Sequence, residues 1–363
     1  MRPALLSLTL AVIALSAFCA AAHSTLFDGE RYDHTASPAD PDYVLYPTGT
    51  PSTVHPPPPL SEFAVLMGGG TDVAQAFQSQ IEASQGGDLS SKINVVILRT
   101  SGADGYNTWI MNLSSAVSSV VSIVINNRAG ASAPEVLETV KQADMIFFSG
   151  GDQATYYSYW DDTPLSELVD SLRAERHVPI GGTSAGLAIL GDTDFSAATG
   201  GIESPAALLD PYASGLTFNT SLVFGLSGLH DAITDTHFVT RDRMGRLITF
   251  LARMSTDVNP GSFTTARGVG VNESTAVLVS FDEATGHTLG TVVGTGTAYF
   301  LTPTEPPSVI TAGVPLQFAN VNCTRAPVGA VFDMTTWTPV SGMTSYLLTA
   351  ADGTVTSSSG SVY

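Results

Sequence analysis

The strongest constraint on the fold is a recurring pairing of a short apolar run with glycines. Phe63-Ala64-Val65-Leu66-Met67 stops at Gly68-Gly69-Gly70, Met145-Ile146-Phe147-Phe148 at Ser149-Gly150-Gly151, and Val178-Pro179-Ile180 at Gly181-Gly182. A run that is apolar at every position is buried on both faces, and such strands belong to parallel sheets covered by helices. Residues 93–98 and 120–125 add two more runs of this kind. Segments of helical length, 73–84, 134–142 and 164–176, fall between them. The alternation predicts βαβ units in an α/β fold. After about residue 268 the pattern changes to strand-like runs at 275–279, 290–293 and 297–300, so this end is expected to be β-rich. No internal repeat is present.

The N-terminus has its own logic. Met1-Arg2, an uncharged apolar stretch over 4–22 and the small residues Ala20-Ala21-Ala22 make a secretory signal. The expected organisation is a signal peptide at 1–22, a Pro-rich arm or linker at 23–60 and an α/β domain at 61–320. A β-rich or partly disordered C-terminal extension follows at 321–363. The formal charge of −19 disfavours nucleic acid and anionic lipid as partners. No later run is apolar for long enough to span a membrane. Cys19 falls in the signal, so Cys323 stands alone, and neither an intrachain disulfide nor a cysteine-based metal cluster is expected. Four sequons, at Asn112, Asn219, Asn272 and Asn322, fit a secreted glycoprotein.

Chemistry concentrates where strands meet glycines. In Gly182-Thr183-Ser184-Ala185-Gly186 a strand runs through small residues into a helix start. A nucleophile elbow needs that composition, because the serine backbone is strained and the helix N-terminus aims N–H groups at a developing oxyanion. The same five residues also describe an ordinary turn in which Ser184 caps the helix. A serine nucleophile needs a base, and His237 ends an apolar strand at the polar edge where the elbow opens. His177 precedes the nucleophile's own strand and would lie at its wrong end. Arg241, Arg243 and Arg246 cluster after His237 in a chain with few basic residues, an arrangement suited to a carboxylate or to surface ion pairs. Ser149-Gly150-Gly151-Asp152-Gln153 is the candidate second oxyanion loop, with Gln153 offering an amide for recognition.

These blocks, in this order, resemble the cyanophycinase and dipeptidase E group of serine peptidases. The matching stretches are Phe63 to Gly70, Phe148 to Gln153, Gly182 to Gly186, Asp235-Thr236-His237-Phe238 with the three arginines, and Gly268 to Ala276. The resemblance covers roughly 61–320. It implies a class I glutamine-amidotransferase-like (flavodoxin-like) sandwich with a mostly parallel sheet. It also implies Ser184 as nucleophile, His237 as base, Glu273 as orienting acid, and Gly151 and Ala185 as oxyanion donors. Gln153, Asp235, Arg241, Arg243 and Arg246 would hold a β-Asp-Arg unit. Thr236 departs from the family, which has Gln there. The expected partner is a peptide substrate, with no cofactor or metal, and a homodimer as a further expectation. Two other readings stay open: a non-catalytic secreted binding protein of the same fold, and an acyl hydrolase or esterase whose acid, Asp192 or Asp210, precedes the histidine.

Overall fold

The computed structural model describes residues 41–222, 224–261 and 263–363. The expected signal peptide, and residues 23–40 of the expected arm, lie outside the described residues. The first half runs β1 (Tyr43–Gly49), β2 (Phe63–Met67), α1 (Ala74–Ser84), β3 (Ile93–Arg99), α2 (Asn107–Leu113), β4 (Val117–Ile125), α3 (Pro134–Lys141) and β5 (Met145–Phe148). It continues through α4 (Gln153–Trp160), α5 (Pro164–Arg176), β6 (Ile180–Thr183) and α6 (Ala185–Ala188). A two-residue pair, β7 (Asp194–Phe195) and β8 (Phe218–Asn219), brackets α7 (Ser204–Leu209) and leads to β9 (Ala232–Asp235) and α8 (Met244–Arg253). The rest is β: β10 (Arg267–Val271), β11 (Thr275–Asp282), β12 (His287–Gly294), β13 (Thr297–Pro303) and β14 (Val309–Thr311). The last strands are β15 (Val314–Pro327), β16 (Val331–Asp333), β17 (Thr338–Ser341), β18 (Thr344–Ala351) and β19 (Thr354–Ser357).

The α/β fold is as expected. A ten-stranded sheet has the order β1-β4-β3-β5-β6-β2-β11-β12-β16-β17. Its centre, β4 to β2, is parallel, and antiparallel strands extend both flanks. The apolar runs are buried on both faces by simple alternation. Leu66, Val96, Leu98, Ile146 and Phe148 pack on one side. Val65, Val95, Ile97, Met145 and Phe147 pack on the other. Each such side chain contributes about 1.5–3 kcal/mol. A second sheet, β19-β18-β15-β13-β10-β9, packs Phe238, Leu247, Phe250, Tyr299 and Phe318 into a separate core.

Three expectations are corrected. Residues 43–49 form an edge strand paired with β4 and are not part of an arm. Tyr43-Val44-Leu45-Tyr46 has strand chemistry, and Pro47 is tolerated because the edge needs no further N–H donor. The boundary expected at 320/321 falls inside β15, which pairs with β13 and β18. The C-terminal segment is therefore an integral part of the second sheet. The strand expected at 178–180 is shifted to Ile180–Thr183, so the glycines lie within it. No helix among the described residues is long and apolar enough to cross a membrane.

Candidate active site

The glycine turn after β2 organises the site. Three successive carbonyls there each accept a backbone N–H from a different loop. Met67 O takes Ser184 N at 3.1 Å, Gly68 O takes His237 N at 2.7 Å, and Gly69 O takes Ser274 N at 2.9 Å. One turn thus sets the register of three segments that are far apart in sequence. The parallel pairing of β9 with β10 does the rest. Asp235 lies opposite Gly270, so the chain emerges at one edge two residues before His237 and three before Glu273.

Ser184 sits between β6 and α6 with φ 52° and ψ −118°, a strained combination for a side-chain-bearing residue. Gly182 and Gly186 make this elbow possible. A Cβ on Gly182 would collide with the Gly186 carbonyl, and one on Gly186 with the Phe148 carbonyl. Leu187 N and Ala188 N both bond Ser184 O at 3.0 Å, which starts the helix behind the serine. Ala185 is the first residue of α6, so its N–H has no upstream carbonyl within the helix.

His237 connects the other two groups. Its Nε2 lies 2.8 Å from Ser184 Oγ, and its Nδ1 lies 2.6 Å from Glu273 Oε1. The imidazole is 10% exposed and the Glu273 side chain 31%. Burial holds the His237 pKa below its ordinary value of 6.5. The Glu273 hydrogen bond opposes that shift, while Arg241 and Arg243 add to it. The two aspartates considered as alternative acids are elsewhere. Asp192 bonds Asp231 N and faces the exposed His230, and Asp210 bonds Tyr212 N and Gly313 N. His177 gives Nδ1 to the Pro59 carbonyl and lines a cleft with Glu62 and Ala64, at the opposite end of β2 from Met67.

The glycine loop after β5 lies against the serine. A Cβ on Gly150 would stand 3.4 Å from Ser184 Cβ. The Tyr156 hydroxyl is shared between the carbonyls of Ser149 (2.8 Å) and Gly150 (3.1 Å) from below. Carbonyl and N–H of a trans peptide point in opposite directions, so fixing Gly150 O aims the Gly151 N–H away from Tyr156. Gln153 starts α4 behind the Asp152 cap, and its Nε2 reaches Phe195 O at 3.4 Å.

The arginines divide. Arg246 and Asp235, with side chains 5% and 3% exposed, form a two-pronged ion pair, Nε–Oδ2 at 2.8 Å and Nη2–Oδ1 at 2.5 Å. The Arg246 guanidinium also lies over the rings of Phe195 and Phe250 and donates to Ile202 O. Neither residue presents a surface to a peptide, so the expected substrate contact is corrected to a supporting one. Arg243 is the cap residue before α8, not part of a shared helix face with Arg246. Its Nη1 bonds Thr236 O and Oγ1, it shares Asp235 at 3.5 Å, and burial lowers its pKa to about 10. Arg241 is exposed.

Sequence reasoning missed Tyr156, whose role depends on a helix packing under a loop, and Gly69, whose missing Cβ makes room for the His237 ring. The Asn272 side chain is held in the site's surroundings: its Oδ1 accepts from Val239 N, Thr240 N and Thr240 Oγ1 at 3.2–3.4 Å. Asn112 is exposed on α2. Among the described residues no group of three or more His, Cys, Asp or Glu is placed to hold a metal.

No family model matches the chain. The cyanophycinase of Synechococcus elongatus is 32% identical over 160 residues, 44% of this chain and 44% of the relative. The cyanophycinase of Trichormus variabilis is 30% identical over 184 residues, 50% and 52% of the two chains. A crystal structure of a peptidase from an acI-B1 Actinobacterium is 17% identical with a TM-score of 0.49, covering 75% of this chain and 97% of that one. The chain spans about half the length of the curated relatives it matches. Over that shared half, the chain is similar in sequence to cyanophycinases.

Proposed function

We propose that the chain is a metal-independent serine peptidase that hydrolyses Asp-containing peptide or isopeptide bonds, of the β-Asp-Arg kind found in cyanophycin. The observation that carries this reading is the continuous contact from Ser184 Oγ through His237 to Glu273, on a strained elbow. Neutral His237 accepts the Ser184 proton at Nε2 while Nδ1–H donates to Glu273. Ser184 Oγ adds to the amide carbonyl, and the resulting oxyanion is met by the N–H groups of Ala185 and Gly151. The C–N bond then breaks as His237 returns the proton to the leaving amine. Water, deprotonated by the same histidine, hydrolyses the acyl-enzyme. Arg241, with Gln153 and the outer edge of Arg243, takes the acidic part of the substrate. Arg246 and Asp235 hold that surface from beneath. Met1-Arg2 with the apolar residues 4–22, and the exposed sequon at Asn112, support a secreted, glycosylated product.

The test is digestion of cyanophycin beside a panel of α- and β-linked Asp dipeptides by the wild type and Ser184→Ala. Turnover of at least one of these by the wild type, lost in a folded variant, is expected. Full hydrolysis by Ser184→Ala removes the mechanism.

A further inference from the structure

The turn after His237 holds more positive charge than its buried acid can balance. Asp235 is committed to Arg246 and shared with Arg243. Arg241 is exposed, with no side-chain partner among the described residues, and close enough to His237 to depress its pKa. The residue that follows Arg241 in sequence, Asp242, carries a carboxylate. That carboxylate, however, is engaged elsewhere. The Tyr363 hydroxyl donates to Asp242 Oδ1 at 2.8 Å and accepts from Met244 N, the first residue of α8, at 3.0 Å.

Tyr363 is itself well held. Its ring makes edge contacts with Phe238 (6.1 Å between centroids) and Tyr299 (5.8 Å). The preceding carbonyl, Val362 O, accepts from the Tyr346 hydroxyl at 2.8 Å. Asp242 has φ 46°, so the backbone turns sharply at this residue. The phenol therefore sits between the Asp242 carboxylate and a helix N-terminus, where a carboxylate left alone would bond the amide directly or turn back to the adjacent guanidinium.

We propose that Tyr363 is a positioning residue that diverts Asp242 from Arg241, leaving the Arg241 guanidinium open to a carboxylate of the substrate. This rests on the reading of Arg241 as substrate-facing. An internal Asp242–Arg241 pair would compete with every anionic substrate for the same cation, whereas the diverted carboxylate does not. The residue responsible follows β19, the edge strand of the second sheet, and lies beyond the stretch whose motifs resemble the peptidase family.

The experiment measures kcat and KM on the best-cleaved Asp peptide of the panel. It uses the wild type, Tyr363→Phe, Asp242→Asn, the double variant and Arg241→Gln, each with a thermal melt. Phenylalanine keeps the ring contacts with Phe238 and Tyr299, and asparagine tolerates the positive φ at 242. Tyr363→Phe is expected to raise KM about threefold to tenfold, the scale of one exposed-to-half-buried ionic contact, with kcat nearly unchanged. Adding Asp242→Asn should return KM to the wild-type value, a rescue that a purely structural role of Tyr363 would not produce. Asp242→Asn alone should leave KM unchanged or lower. A Tyr363→Phe variant with wild-type KM, or a double variant that keeps the raised KM, overturns the proposal. If Arg241→Gln also leaves KM unchanged, or no peptide of the panel is cleaved, the underlying reading falls with it. If only Arg241→Gln raises KM, that reading stands and the role of Tyr363 does not.

Discussion

Gly69→Ala tests how the His237 ring is placed. Gly69 has φ 95°, and a Cβ added there would lie 2.5 Å from His237 Nε2, the atom that faces Ser184. Ordinary contact begins near 3.4 Å, so the ring must retreat by about 1 Å. The obstructing atoms are the tip of a side chain rather than backbone, so the chain relieves the clash by turning the imidazole. The backbone strain of an alanine at this φ adds about 1–3 kcal/mol against folding. A displacement of about 1 Å at a reacting group costs about 10²-fold in rate, or roughly 2.7 kcal/mol of transition-state stabilisation. The assay is kcat and KM on the best Asp peptide, with a thermal melt and the rate of labelling by a serine-reactive fluorophosphonate. The expected result is a folded variant, melting a few degrees lower, with kcat and labelling both down about 10²-fold and KM little changed. A folded Gly69→Ala protein with wild-type kcat would refute the idea that the missing Cβ positions the base.

Three further expectations follow from the electrostatics. Asp235→Asn leaves the buried Arg246 guanidinium without its carboxylate, so urea unfolding should show a loss of about 3–5 kcal/mol. A loss below about 1 kcal/mol would show that the pair does not support the turn. Burial, the largest influence on His237, holds its pKa below 6.5, so the acid limb of kcat/KM should lie below that pH, and activity should vanish as pH falls through it. Arg241→Gln removes a cation that depresses this pKa, and its limb should move upward. A downward move contradicts the assignment of that limb to His237.

Much of the site was legible because its chemistry is local. A glycine-flanked serine at a strand end announces an elbow, since only small neighbours allow the backbone of Ser184 to turn as it does. A histidine at the polar end of an apolar strand announces a base. Arg246 was misplaced because a cluster of arginines reads alike whether it faces water or a buried aspartate. The pairing with Asp235 depends on α8 packing over β9. Residues 43–49 were hidden by the prolines around them, although Tyr43 to Tyr46 already had the composition of a strand.

The apolar runs and their glycines by themselves determined the α/β class, the strand ends and the residues able to act at those ends. Burial and period-2 alternation are properties of short segments, so they are written locally. Tertiary structure alone decided that Met67, Gly68 and Gly69 hand their carbonyls to Ser184, His237 and Ser274 in turn. It also decided that Glu273 rather than Asp192 or Asp210 meets the histidine, and that Tyr363 reaches back to Asp242. Each of these contacts joins residues about 35 to 200 positions apart, and each is fixed by strand register and sheet order, which no short stretch of sequence contains.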